Sequence, residues 1–271
     1  MSTTAEGLAD PSPRQNRQAA RQQAITEAVM AAGVVRIEQL AEQFDISVMT
    51  VHRDLDELQS KGILRKSRGV ATAVATPIVE SSAVYRSNRQ SEEKESIALA
   101  ALEFIEPGQA IMLDDSTTVG HLVPHLRNKR PLTVITNTLT IMDELRDAND
   151  ITMLGLGGQY YNWCNAFMGR MTTTSIQSIR ADVFLTSTAA VTDDIAFHQS
   201  LETVDVKRAM FDVASTRVLL VDHTKFQKRA LHALFTLKDF DAVVVDSAMP
   251  RVEVSRLRDA GVKVVVAKRQ R

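Results

Sequence analysis

Between residues 17 and 60 the apolar positions recur at helical spacing in three separate stretches. In the first, residues 17–32, Ala20, Ala24, Ile25, Ala28 and Val29 fall on one face, and Gly33 follows as a stop signal. Ile37, Leu40, Ala41 and Phe44 mark a shorter second helix that ends at Asp45-Ile46. Ser47 is a favourable N-cap for a third, in which Val48, Val51, Leu55 and Leu58 form the apolar stripe while Met49, Thr50, Arg53 and Glu57 point the other way. After Gly62 the period changes, and residues 63–65 and 70–74 are short β-prone runs around Ser67-Arg68-Gly69. Three short helices with a tight turn before the third, followed by a small hairpin, are the parts of a winged helix-turn-helix.

Further along, apolar β-prone runs at 110–113, 132–136, 151–154, 183–186, 218–221, 242–245 and 263–267 alternate with helical stretches at 92–105, 119–126, 139–146, 200–214 and 251–260. That alternation predicts an α/β domain with a mainly parallel sheet covered by helices, and sheets of that kind gather ligands at the carboxyl ends of their strands. The expected organisation is a flexible arm over 1–15, a winged helix-turn-helix over 16–75, a linker over 76–91 and an α/β domain over 92–271.

Composition narrows the class. With 271 residues, 44% hydrophobic and 24% charged, the chain is an ordinary folding polypeptide large enough for a small and a medium domain. No apolar run approaches the ~20 residues of a spanning helix, and the start lacks the basic and apolar regions of a leader, so no membrane partner and a cytoplasmic location are expected. The lone cysteine, Cys164, excludes an intramolecular disulfide or a cysteine-based zinc cluster and reads as a small packed hydrophobe. No cofactor is expected. A net charge of −1 lends no support to nucleic-acid binding, which must rest on the local run Lys61, Arg65, Lys66 and Arg68.

Placement gives these residues their candidate chemistry. Thr50, His52 and Arg53 occupy the first turns of the third helix, the part that enters a major groove, and the basic run follows where a wing meets phosphates. A three-helix bundle that binds protein, with a merely solvated charge run, is the competing interpretation. Asp54 would be repelled by phosphate and is expected to pair with a base such as Arg65. At the end of the 110–113 run, Ser116, Thr117 and Thr118 precede a helix, where backbone amides and hydroxyls either hold an anion or simply cap. Lys225 follows another strand end and has the charge to neutralise a phosphate. Gly157-Gly158 reads most simply as a turn, and Asn137 as either a sugar-hydroxyl ligand or a cap.

The motifs Arg21-x-x-x-Ile25, Leu40-Ala41-x-x-Phe44 and Ser47-x-x-Thr50-Val51-His52-Arg53-Asp54-Leu55, continuing through Leu58, Gly62 and Leu64-Arg65, resemble the DNA-binding signature of the DeoR family of repressors. Leu113-Asp114-Asp115-Ser116-Thr117-Thr118, Thr136-Asn137, Gly157-Gly158, Lys207-Arg208-x-Met210 and Asp222-His223-Thr224-Lys225-Phe226 are similar to that family's sensor domain. The resemblance implies double-stranded operator DNA as partner, read by Ser47, Met49, Thr50, His52 and Arg53 with Lys61, Arg65, Lys66 and Arg68. It implies a phosphorylated metabolite as effector, with Asp115, Ser116, Thr117, Thr118, Asn137, Gly157, Gly158 and Lys225 as candidate ligands in a domain similar to sugar-phosphate isomerases. A regulator of a sugar operon, working as a homo-oligomer (dimer or tetramer), is the resulting expectation. The chain departs from the family pattern at Ser116, at Gly69-Val70-Ala71 and between Ala189 and Phe197, places where glycine is usual. Two alternatives stand beside this: a sugar-phosphate isomerase-like enzyme with an appended N-terminal domain, and an α/β domain that serves only for oligomerisation.

Overall fold

The computed structural model describes residues 13–32, 34–60, 64–73, 86 and 89–269, in two compact units divided after Thr76. Lys61 and most of the expected linker lie outside the described residues.

In the first unit, α1 (Pro13–Ala32), β1 (Val34–Arg36), α2 (Ile37–Gln43), α3 (Val48–Ser60), β2 (Leu64–Ser67) and β3 (Val70–Ala73) follow in order. Helix α1 takes in residues 13–15, the last of the expected arm, and proline suits a helix start because its missing N–H has no partner there. Ile25, Val29, Ile37, Leu40, Val51, Leu55, Leu58 and Leu64 share one core. Val48, expected on the buried stripe, is 41% exposed, because the face that meets α1 and α2 begins one turn later at Val51. The wing is a three-stranded antiparallel sheet in the order β1-β3-β2, with β1 an addition that the sequence pattern did not indicate. Its tip is a two-residue turn in which Arg68 and Gly69 both take positive φ, the backbone handedness that matches strand twist.

The second unit is built on seven parallel strands, β4 (Ala110–Leu113), β5 (Leu132–Thr136), β6 (Ile151–Gly155), β9 (Ala181–Thr186), β12 (Ala214–Val221), β14 (Ala242–Val245) and β15 (Val264–Val266), in the order β15-β14-β12-β9-β4-β5-β6. Six of the seven apolar runs lie within one of them, and β15 lies within the seventh, 263–267. They read as continuous runs because both faces are buried: Ile111 and Leu113, Val183 and Leu185, and Val218 and Leu220 pack on one side, while Met112, Phe184 and Leu219 pack on the other. From β4 the chain winds outward through β5 to β6, then returns to place β9 on the opposite side of β4. The switch point of the sheet therefore falls between β4 and β9, where open α/β sheets hold their ligands.

Helices α4 (Ser91–Ala101), α6 (Leu139–Leu145), α8 (Leu201–Val213) and α9 (Arg251–Asp259) occupy expected stretches. The stretch at 119–126 is not one helix but a single turn, α5 (Thr117–Gly120), and a 3-10 segment, Val123–Asn128, because Pro124 has no N–H to continue the ladder. Three features were absent from the sequence pattern: a hairpin of β7 (Gln159–Tyr161) and β8 (Ala166–Met168), helix α7 (Arg170–Gln177), and an antiparallel sheet of β10 (Ala190–Thr192), β11 (Ile195–His198) and β13 (His232–Thr236).

Candidate nucleic-acid interface and anion cleft

Ser47 caps α3, its Oγ accepting from the Thr50 amide at 3.2 Å and lying 2.8 Å from the Thr50 hydroxyl. Met49, 77% exposed, and the exposed Arg53 face outward from α3, with His52 half-buried beside them. Asp54 is fully buried and pairs with Arg21, not with Arg65: the guanidinium donates from Nε at 2.6 Å and from Nη2 at 3.0 Å. Arg21 therefore fastens α1 to the back of α3, and Gln18 and Gln22 add bonds to Glu57 one turn on at 2.8 and 2.7 Å. Arg65 and Arg68 are exposed on the wing. Lys66, expected to meet phosphate, is ion-paired to Asp56, and its amide donates to Gln59 Oε1 at 2.7 Å, so it ties the wing to α3.

In the second unit the buried carboxylate of Asp114, at the end of β4, organises the switch point. It accepts from the ammonium of Lys207 on α8, from the hydroxyls of Ser116 and Thr186, and from the amides of Ser116 at 2.9 Å and Ser187 at 3.1 Å. Burial pushes its carboxyl pKa up, but the Lys207 ammonium and these hydrogen bonds outweigh that and hold it below the usual carboxylate range. With its acceptor capacity spent, Asp114 is a structural hub.

Beside it a cleft opens, lined by Asp115, Ser116, Thr117 and Thr118 after β4, by Ser187 and Thr188 after β9, and by Arg86, Lys207 and Lys225. The hydroxyl-rich turn and Lys225 thus converge as expected. The lysine is presented by the 3-10 turn His223–Gln227, capped by Asp222, whose Oδ1 accepts from the Thr224 amide at 3.0 Å. His223 is fixed in turn by Asp246, with Nδ1 to Oδ1 at 2.9 Å. Since α5 is one turn long, its dipole contributes little to the cleft.

Asn137, Gly157 and Gly158 do not line the cleft. Asn137 donates from Nδ2 to the Phe167 carbonyl at 2.9 Å and accepts the Phe167 amide at 2.8 Å, tying the β7–β8 hairpin to the sheet, while its buried Oδ1 has no hydrogen-bond partner. Gly157 accepts the Thr172 hydroxyl at 2.9 Å, and a Cβ on Gly158 would lie 2.8 Å from the Met168 carbonyl, so this pair serves a close backbone approach. Conversely, the cleft includes Arg86, Ser187, Thr188 and Lys207, which sequence reasoning had not assigned to it. Lys207 stands within a quoted motif, but its burial in mid-helix became visible only with its partner Asp114, 93 residues away.

Two family models match the chain in tandem: the DeoR-like helix-turn-helix domain over residues 21–76 and the DeoR C-terminal sensor domain over residues 89–247. The chain belongs to the DeoR family. This DeoR-family protein is a transcriptional regulator with an N-terminal helix-turn-helix and a C-terminal sensor domain. It is 31% identical to the transcriptional repressor AccR of Agrobacterium fabrum, over 84% of this chain and 89% of that one. The lactose phosphotransferase system repressor of Staphylococcus epidermidis shares 32% identity over 82% and 90%, and the glycerol-3-phosphate regulon repressor of Escherichia coli 29% over 86% and 93%. Among the described residues, no helix is long and apolar enough to cross a membrane.

Proposed function

We propose that this DeoR-family regulator represses an operon for sugar or carbohydrate use, acting in the cytoplasm as a homo-oligomer, and that a phosphorylated metabolite bound at the switch-point cleft changes its affinity for operator DNA. Residues 16–75 carry the DNA contacts, through Arg53, Thr50, His52, Met49 and Ser47 on α3 and Arg65 and Arg68 on the wing. The observation that carries the effector half is convergence. Hydroxyls from Ser116, Thr117, Thr118 and Thr188 and cations from Lys225 and Arg86 meet in one cleft, a set suited to phosphate oxygens, and Asp115, 3.7 Å from the Lys207 ammonium, lines the same cleft. Relatives named as a lactose phosphotransferase system repressor and a glycerol-3-phosphate regulon repressor support the same reading.

The isomerase alternative fares less well. Proton transfer between adjacent carbons needs a positioned base and an electrophile. Asp114 is consumed by its own hydrogen bonds, and Asp115 is the one carboxylate among the residues lining the cleft.

The test is a titration of sugar phosphates into wild type and Lys225→Ala, with operator affinity as the readout. Regulation requires unequal binding to the two DNA-affinity states, and couplings of ~1–3 kcal/mol correspond to about 5–150-fold changes. Lys225→Ala is expected to bind operator like wild type without effector and to lose most of that change. An equal response in both proteins excludes Lys225 from the sensor.

A further inference from the structure

Lys94 stands in the first turn of α4 and is 3% exposed. Both circumstances oppose it: burial penalises the ammonium, and the amino end of a helix favours acids such as its neighbours Glu92 and Glu93. Its placement is explained by what it joins. Nζ donates to the Thr117 hydroxyl at 3.0 Å, on the wall of the cleft, and also to the backbone carbonyl of Arg86. Arg86 itself lines the cleft, and it follows Thr76, the last residue of the DNA-binding unit, by ten positions. One buried ammonium therefore bridges the candidate anion site and the chain that leads in from the helix-turn-helix.

We propose that Lys94 is a positioning residue that couples occupancy of the cleft to the backbone at Arg86, a step that rests on the cleft being the effector site. The charges around it give the coupling its direction. Lys225, Arg86 and Lys228 repel the ammonium, and Asp222 is the acid that offsets them. Burial foremost, and then the repulsion from Lys225, Arg86 and Lys228, lowers its pKa to about 7, so much of it is neutral near physiological pH. An anion beside Thr117 and Lys225 supplies the missing negative charge, and Lys94 takes up a proton from solvent. Its bonds to Thr117 and to the Arg86 carbonyl then become charge-assisted, roughly twice as strong as neutral ones. Binding thus tightens the hold on the chain at Arg86.

The full-length protein with inorganic phosphate as probe tests this. Calorimetry in two buffers of different ionisation enthalpy, near pH 7.5 and corrected for the ionisation of phosphate itself, reads proton uptake by the protein, and hydrogen exchange of the peptide containing Arg86 reads the tightening. Wild type is expected to bind phosphate with net proton uptake and to slow exchange in that peptide about fivefold or more. Lys94→Met, close in shape and without charge, is expected to bind phosphate more weakly and, at saturation, to show neither effect. Lys94→Arg, charged at every pH used, is expected to show slow exchange in that peptide with or without phosphate and no proton uptake, a split that a purely structural role does not produce. Phosphate binding by wild type without slowed exchange at Arg86, or both effects retained in Lys94→Met, overturns the coupling and leaves the effector site standing. Failure of wild type to bind phosphate at all overturns the effector reading and the coupling with it.

Discussion

At the scale of single residues, the chain places charge in its interior where a partner is supplied from far along the sequence, and the consequences are measurable. Arg21 and Asp54 are 33 residues apart, yet they form the bidentate pair that seats α3 on α1. Arg21→Met strands a fully buried carboxylate. Breaking such pairs typically costs ~3–5 kcal/mol, and the lower end is expected here because Gln22 still donates to Asp54 at 3.3 Å. Urea unfolding of the full chain, followed by a probe in the first unit, checks it. Lys94 gives a second prediction, with a definite sign in pH. Its folded pKa of about 7 lies below the ordinary 10.5 that it regains on unfolding. Between those values the unfolded chain holds a proton that the folded chain has released, so stability rises with pH across the window. Relative to Lys94→Met, wild type is expected to be weakest at and below neutrality and to recover as pH approaches about 10. Parallel unfolding curves with no relative change from neutral to alkaline pH would refute it.

At the scale of elements, the proposed function has α3 and the wing divide the work of DNA contact, and that division predicts opposite outcomes for two substitutions. Arg53→Ala removes an exposed donor from the helix that enters the groove and is expected to relax preference between operator and random DNA, since a bidentate base contact is worth ~1–3 kcal/mol of discrimination. Asp56→Asn does the reverse: it releases Lys66 from its ion pair, adds a phosphate-seeking cation, and is expected to strengthen binding to every sequence while steepening the salt dependence by about one counterion. Filter binding or anisotropy across a salt series distinguishes them. The same elements show what the sequence could carry. The seven sheet strands were legible because double burial leaves unbroken apolar runs, and the wing because Arg68-Gly69 sits between two β-prone segments. The β7–β8 hairpin and β10, β11 and β13 were not, since strands of three to five residues with mixed burial leave no period to detect. Asn137 and Gly158 were assigned to the cleft because a strand end fixes a location and not a direction, and a cap or a close backbone contact uses the same residue types as a ligand site. Arg86 was missed for a related reason: it lies in a stretch without periodicity, and only the sheet's switch point shows where it goes.

At the scale of the whole molecule, specificity sets the expected assembly. One helix-turn-helix with three or four side chains at base edges discriminates too little for a single genomic site, and readers of this type double their interface by binding two half-sites as a symmetric dimer. A dimer of this regulator is therefore expected to require half-sites spaced by whole helical turns, about 10–10.5 base pairs or a multiple of that. Inserting about five base pairs at the centre of the operator rotates one half-site to the opposite face of the duplex while keeping every base that α3 reads. Binding is expected to fall at least tenfold and to recover when the insertion is about ten base pairs. Sedimentation of the free protein tests the assembly independently of DNA. A monomer that binds one half-site as tightly as the intact operator would show that the single N-terminal unit suffices, and the proposed homo-oligomer would then have to be abandoned.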